Sequence, residues 1–202
     1  MIFIVGAHAT GKTYLADIIC RFNFLKIDLG PILRDIHKKS RSTKSFVEWI
    51  HGGEIKFGKN FTDDLLVNEI KNTIENLSNS FTKPIDFIII GSRSVAGLRY
   101  ILEHVGQYSQ KSNKVIFLDA PFTVTYERYK KREGVDITIE QFEKILDNDK
   151  RMGLEDLRQV ADFIILNNST RKKLFDHILS LLNNELQYKL SENIWKPKLN
   201  IK

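Results

Sequence analysis

An α/β domain built on a parallel sheet is the fold class this sequence predicts, and three observations predict it. Apolar runs too continuous for a half-buried strand recur along the chain, helical spacing fills the gaps between them, and the first run leads into a glycine-bounded loop that opens a helix. Strands are expected at Ile2–Val5, Phe24–Asp28, Asp86–Ile90, Lys114–Asp119 and Asp162–Leu166. Most are continuously apolar, the pattern of strands covered on both faces. Helices are expected at about Lys12–Phe22, Ile32–Lys39, Thr62–Leu77, Val95–Val105, Phe122–Arg132, Ile139–Arg151 and Thr170–Lys189, with Thr62 and Thr170 as N-caps. Alternation of this kind demands crossover connections and therefore parallel strand pairing.

Between the first strand and the first helix stands Gly6-Ala7-His8-Ala9-Thr10-Gly11-Lys12-Thr13, a complete G-x-x-x-x-G-K-S/T phosphate-binding loop. Gly6 and Gly11 let the backbone wrap with its N–H groups pointing inward, and the helix that follows aims its positive end at the same place. A polyphosphate such as ATP is the expected occupant. Lys12 would reach the β- and γ-phosphates, and the Thr13 hydroxyl would hold a bridging Mg²⁺. His8 occupies a variable position of the phosphate-binding loop and is read as structural or weakly functional.

Composition narrows the partners. The 202 residues are 42% hydrophobic, enough for the core of one domain, which we place at 1–190 with a C-terminal tail at 191–202. Net charge is +6 with no run of like charges that resembles a nucleic-acid tail, which fits a small polyanionic ligand rather than nucleic acid. Cys20 is the only cysteine, so no internal disulfide forms and a reducing, cytoplasmic setting is expected. The other histidines, His37, His51, His104 and His177, lack zinc-ligand spacing with it. The apolar start, Met1–Val5, is too short to enter a membrane, and a monomer or homodimer is expected. Residues 40–61 read as the least regular stretch, broken by Gly52-Gly53 and Gly58 around Phe46-Val47-Glu48-Trp49-Ile50. Such an insertion beside the strand ends is where a second substrate would be covered. Trp49 and Phe57 there would either pack locally or stack on a base.

Four later segments resemble, in order, the nucleoside monophosphate kinase group of P-loop proteins, in particular its dephospho-coenzyme A kinase-like and uncharacterised nucleotide kinase-like branches. They are Ile27-Asp28-Leu29-Gly30-Pro31-Ile32-Leu33-Arg34, Gly91-Ser92-Arg93, Glu127-Arg128-Tyr129-Lys130-Lys131-Arg132 and Ala161-Asp162-Phe163-Ile164-Ile165-Leu166-Asn167-Asn168. The resemblance implies a P-loop NTPase fold with strand order 2-3-1-4-5, an acceptor-binding insertion at 40–61 and a helical lid at 128–151. Phosphoryl transfer asks independently for fixed cations around the transferred group. Arg34 and Arg93, after strand ends, are candidate clamps for an acceptor phosphate. Arg128 and Arg132 share a helix face and are candidates to reach the donor phosphates, or they form a solvated basic face with Lys130 and Lys131. Lys150 and Arg151 either join them on closure or complement a helix C-terminus.

One position departs from that family. Where such kinases carry an acid at the end of the third strand, this chain has Ile90, which cannot orient metal-bound water. Asp28 is the leading substitute, because shikimate kinase-like and dephospho-coenzyme A kinase-like enzymes place an Asp there. It is read as metal helper or as general base, the latter needed only for a hydroxyl acceptor. Asp119 is the second candidate and equally a turn residue before Ala120-Pro121. The expected activity is transfer of the γ-phosphoryl group of ATP to a nucleotide or nucleotide-like acceptor. Hydroxyl phosphorylation of the dephospho-coenzyme A kinase type is the alternative, and a nucleotide-binding regulatory protein with weak catalysis is the third reading.

Overall fold

A computed structural model describes residues 1–78, 86–109, 111–134, 136–188 and 190. The expected tail at 191–202 lies outside them. The sheet has five strands, β1 (Ile2–Val5), β2 (Phe24–Asp28), β3 (Asp86–Ile90), β4 (Lys114–Asp119) and β5 (Phe163–Leu166), in the order β2-β3-β1-β4-β5. Every pairing is parallel. This is the P-loop order expected from the sequence.

Side-chain alternation explains why the strands read as unbroken apolar runs. Ile2, Ile4, Ile88, Ile90, Ile116 and Leu118 point to one face, where α1 (Lys12–Ile19) and α9 (Arg171–Asn184) cover them. Phe3, Val5, Ile27, Ile89, Val115 and Phe117 point to the other, beneath α4 (Phe61–Ser78) and α5 (Val95–Val105). The central strands β1, β3 and β4 therefore bury both of their faces, whereas edge strand β5 leaves Ile164 and Leu166 exposed. Register sets the strand ends level: Asp28 lies opposite Ile90, Ile4 opposite Ile90, and Asp119 opposite Leu166. All five strands deliver their exit loops to one edge, where ligands of open α/β sheets bind.

The remaining helices are α2 (Leu29–Lys39), α3 (Phe46–Phe57), α6 (Phe122–Glu133), α7 (Ile139–Arg151) and α8 (Leu154–Gln159). Several differ from expectation. Residues 46–57 form a regular helix rather than an irregular insertion, because Ser45 and Glu48 make a reciprocal capping box that offsets the glycines inside it. Gly53 is the contact point: the Phe61 ring lies so close that a Cβ there would stand 2.0 Å from it. Helix α4 starts at Phe61, so Thr62 sits inside its first turn instead of capping it, whereas Thr170 does cap α9 through Lys173 N–H. Helix α1 ends at Ile19 and continues as a 3₁₀ turn to Phe22, and α9 ends at Asn184. The short α8 had no periodic signal of its own; Leu157, fully buried against the sheet, holds it.

Candidate functional site

The phosphate loop is held open by its backbone. Gly6 (φ +144°), Ala9 (φ +58°) and Gly11 (φ +101°) all have positive φ, the backbone conformations that let the loop wrap tightly. Gly6 has no alternative, since a Cβ would stand 2.2 Å from the Leu118 carbonyl oxygen. Thr10 is buried, and its hydroxyl donates to Ala7 O at 3.0 Å, tying the loop to itself. Lys12 folds back along the loop, with Nζ donating to Gly6 O at 2.8 Å and Ala7 O at 2.6 Å. Burial lowers its pKa from 10.5 to about 8. Asp149 opposes that drop, while Arg93 and Arg132 add to it. A phosphate would supply the counter-charge Lys12 lacks. The residues thus fit a polyphosphate.

From the loop a cavity of about 710 Å³ runs toward the exits of β2 and β3. Its walls include Lys12 and Thr13 on the loop side, Asp28 and Arg34 from the β2–α2 turn, Ile90 and Arg93 from the β3 exit, and Arg128, Arg132, Glu133 and Asp149 from α6 and α7. Asp28 caps α2, accepting from Gly30 N–H at 3.3 Å. Its Oδ1 lies 3.5 Å from where a Cβ on Gly91 would stand, so it is at the mouth of β3 as well as β2. The carboxylate missing at Ile90 is thus present one strand over, at the same register level. The Arg34 guanidinium and the Asp28 carboxylate both border Gly30, 3.4 Å and 3.7 Å from where a Cβ there would stand.

Arg128 is tied to the loop from behind. It donates to Thr10 O at 3.3 Å and to Asn167 Oδ1 at 3.4 Å, while Asn167 Nδ2 donates to the same Thr10 O at 2.8 Å. Burial lowers the Arg128 pKa. Arg132 lines the cavity with Nε on Glu133 at 2.7 Å. Arg93 lies 3.4 Å from Asp149 and 3.3 Å from the His8 ring. Lys12, Asp28, Arg34, Arg93, Arg128 and Arg132 therefore converge on one space.

Other candidates are elsewhere. Asp119 is not among the residues lining the cavity: one oxygen is paired with Arg158 at 2.6 Å and the other accepts from Ala120 N–H, the turn role weighed for it. Trp49 packs in an aromatic cluster with His37, Phe46 and Phe61, and Phe57 stacks on Phe61, so neither faces the cavity. Sequence reasoning missed Asp149, Glu133 and Tyr14 in the walls. Asp149 lies in a polar helical stretch whose Lys150 and Arg151 draw attention instead, and burial of one acid among exposed ones has no local signature. Among the described residues no cluster of three His, Cys, Asp or Glu side chains could hold a metal. Thr13 and Asp28 suit a Mg²⁺ that keeps most of its water and takes phosphate oxygens. No helix among the described residues is long and apolar enough to cross a membrane.

No protein-family model matches the sequence, and no curated protein does so either. Solved structures match the fold. An unliganded sugar kinase from Janibacter sp. superposes with TM-score 0.56 at 14% identity, covering 94% of this chain and 98% of that one. Shikimate kinase from Acinetobacter baumannii, solved with shikimate, gives 0.54 at 20% identity, covering 94% of each chain. Shikimate kinase from Bacteroides thetaiotaomicron gives 0.55 at 15%, covering 92% and 97%. The chain shares the fold of these three structures over nearly its whole length.

Proposed function

We propose that the protein is an ATP-dependent small-molecule kinase that phosphorylates a hydroxyl on a small anionic acceptor. The observation that carries this reading is the single cavity wall shared by Lys12, Thr13, Asp28, Arg34 and Arg93. A donor site and the means to hold and activate an acceptor stand within one space. The loop N–H groups and Lys12 hold the β- and γ-phosphates, and Arg128 and Arg132 face them from α6. Thr13 and Asp28 are the residues that would hold a Mg²⁺, which when bound would supply neutralisation of charge on the phosphates. Arg34 and Arg93 fix the acceptor by its anionic group, since a guanidinium meets a carboxylate or phosphate with two parallel bonds. Asp28 then takes the hydroxyl proton as the acceptor oxygen attacks.

The original expectation of a nucleotide acceptor remains the second reading, favoured by the two guanidinium groups. Against it stands the want of a base-stacking wall: Trp49 and Phe57 face away, and Tyr14 beside the loop is the aromatic residue among the cavity's walls. Purified protein with Mg-ATP is offered nucleoside monophosphates, deoxynucleotides, dephospho-coenzyme A, hydroxy acids and sugars, with ADP release as readout. One acceptor class is expected to raise ADP formation well above background. Acceptor-independent hydrolysis, or none with every class, overturns the proposal and leaves a nucleotide-binding regulator.

A further inference from the structure

The most connected acid of the cavity belongs to none of the sequence motifs. Asp149, in the last turn of α7, is 6% exposed, a charged side chain buried beside the phosphate loop. Its Oδ2 accepts from the His8 backbone N–H at 2.8 Å. The His8 ring presents Nδ1 to the same carboxylate, 2.7 Å from Oδ2 and 2.9 Å from Oδ1. Arg93 Nη1 completes the set at 3.4 Å from Oδ1. Burial alone would push the Asp149 carboxyl up, yet the hydrogen bonds from His8, with Arg93 beside it, hold it below its usual value. It is an anion at neutral pH.

The same contacts fix the His8 proton. An ionised carboxylate only accepts, so Nδ1 carries the hydrogen. Nε2 lies 3.3 Å from Arg93 Nη2, and a guanidinium only donates, so Nε2 offers its lone pair. The contacts therefore assign the Nδ1 hydrogen to the Asp149 side of the His8 ring and turn Nε2 toward Arg93. The Lys12 amine stays on its own loop carbonyls and does not compete for the carboxylate. Arg93 is held at both terminal nitrogens, Nη1 by Asp149 and Nη2 by His8, with Met152 Sδ 3.8 Å from Nη1. Its side chain is still 47% exposed, which leaves part of its five N–H donors for a ligand.

We propose that Asp149 and His8 are positioning residues that pre-set Arg93 for the acceptor and tie α7 to the phosphate loop. This deepens the kinase reading and rests on it for its kinetic consequence. An arginine free to sample its rotamers must be ordered at each encounter with the acceptor; one held at two points already is. Asp149 does this from the helix next to α8, so the acceptor clamp and the loop share one anchor.

Two readouts on the whole chain test it. In the ligand-free protein, ¹⁵N NMR of the His8 ring near neutral pH should show Nδ1 protonated and Nε2 unprotonated, and Asp149→Asn should release that tautomer. Kinetically, Asp149→Asn should raise the acceptor KM by about ten- to a hundredfold, with ATP affinity changed by less than about threefold. If Asp149→Asn folds poorly, the ¹⁵N readout of the wild-type His8 ring still decides the inference. A wild-type His8 protonated at Nε2 overturns the inference. So does an active variant with unchanged acceptor KM, or one that loses ATP binding and turnover together. Failure of the kinase reading looks different: the wild type makes no acceptor-dependent ADP, and the His8 ring still reports whether the Asp149–His8–Arg93 hold exists.

Discussion

Lys12→Met in the ligand-free protein is expected to stabilise the fold while abolishing its response to nucleotide. Lys12 has its pKa lowered from 10.5 to about 8, chiefly by burial. At about 1.36 kcal/mol per pH unit, keeping that amine charged costs the native state about 3 kcal/mol near pH 7. Methionine has similar reach and no charge. Against the gain, Gly6 O and Ala7 O lose a donor, worth about 1 kcal/mol each unless water replaces it. The net expectation is a gain of about 1–3 kcal/mol, or a melting temperature higher by roughly 2–10 °C for a chain of this size. The pH dependence carries the sign. Below about pH 8 Lys12 is charged in both folded and unfolded chains, and the full penalty applies. Between about 8 and 10.5 the folded chain has released the proton that the unfolded chain still binds, so wild-type stability rises and the variant's advantage disappears. Thermal and urea melts of both proteins from pH 7 to 10.5, with and without Mg-ATP, measure this. ATP should raise the wild-type midpoint by mass action and leave the variant's unmoved. A variant less stable than wild type at pH 7, or a difference that does not change over that pH range, refutes the reasoning.

Asp28→Asn should lower kcat by about 10²–10⁴ with ATP affinity retained if the acceptor is a hydroxyl, because the amide still caps α2 but takes no proton; a loss under about fivefold in steady-state turnover points to an anionic phosphate acceptor instead. Asn167→Ala leaves Thr10 O without its 2.8 Å donor and loosens Arg128, so denaturant melts should show a loss of about 1–3 kcal/mol, and calorimetry weaker ATP binding. Gly53→Ala drives a methyl into the Phe61 ring and should destabilise the α3–α4 pair by about 1–3 kcal/mol, visible as a lower melting temperature with the ATP affinity unchanged.

Much of this molecule was legible before its structure. Every strand fell within a residue of its expected span, since the strands of a parallel sheet leave continuous apolar runs that few other elements imitate. The loop at residues 6–13 was legible because phosphate binding demands fixed residue types at fixed spacing. Helix α3 was not, since its glycines outweigh its periodicity until the Ser45–Glu48 box and the Phe61 contact are seen. Nor was α8, held by one buried leucine.

The sequence by itself determined the sheet, the phosphate loop and a short roster of candidate arginines and acids, because each is written in local pattern or in contiguous motif. Only the tertiary structure shows which of them share one cavity. Asp28 and Asp119 end strands in the same way, yet strand order brings Asp28 beside the mouth of β3 and leaves Asp119 paired with Arg158. Asp149 and His8, 141 residues apart, meet only when α7 packs onto the loop. Charge in a cleft is a property of distance in space, and the order of residues along a chain does not encode that distance until the core has closed.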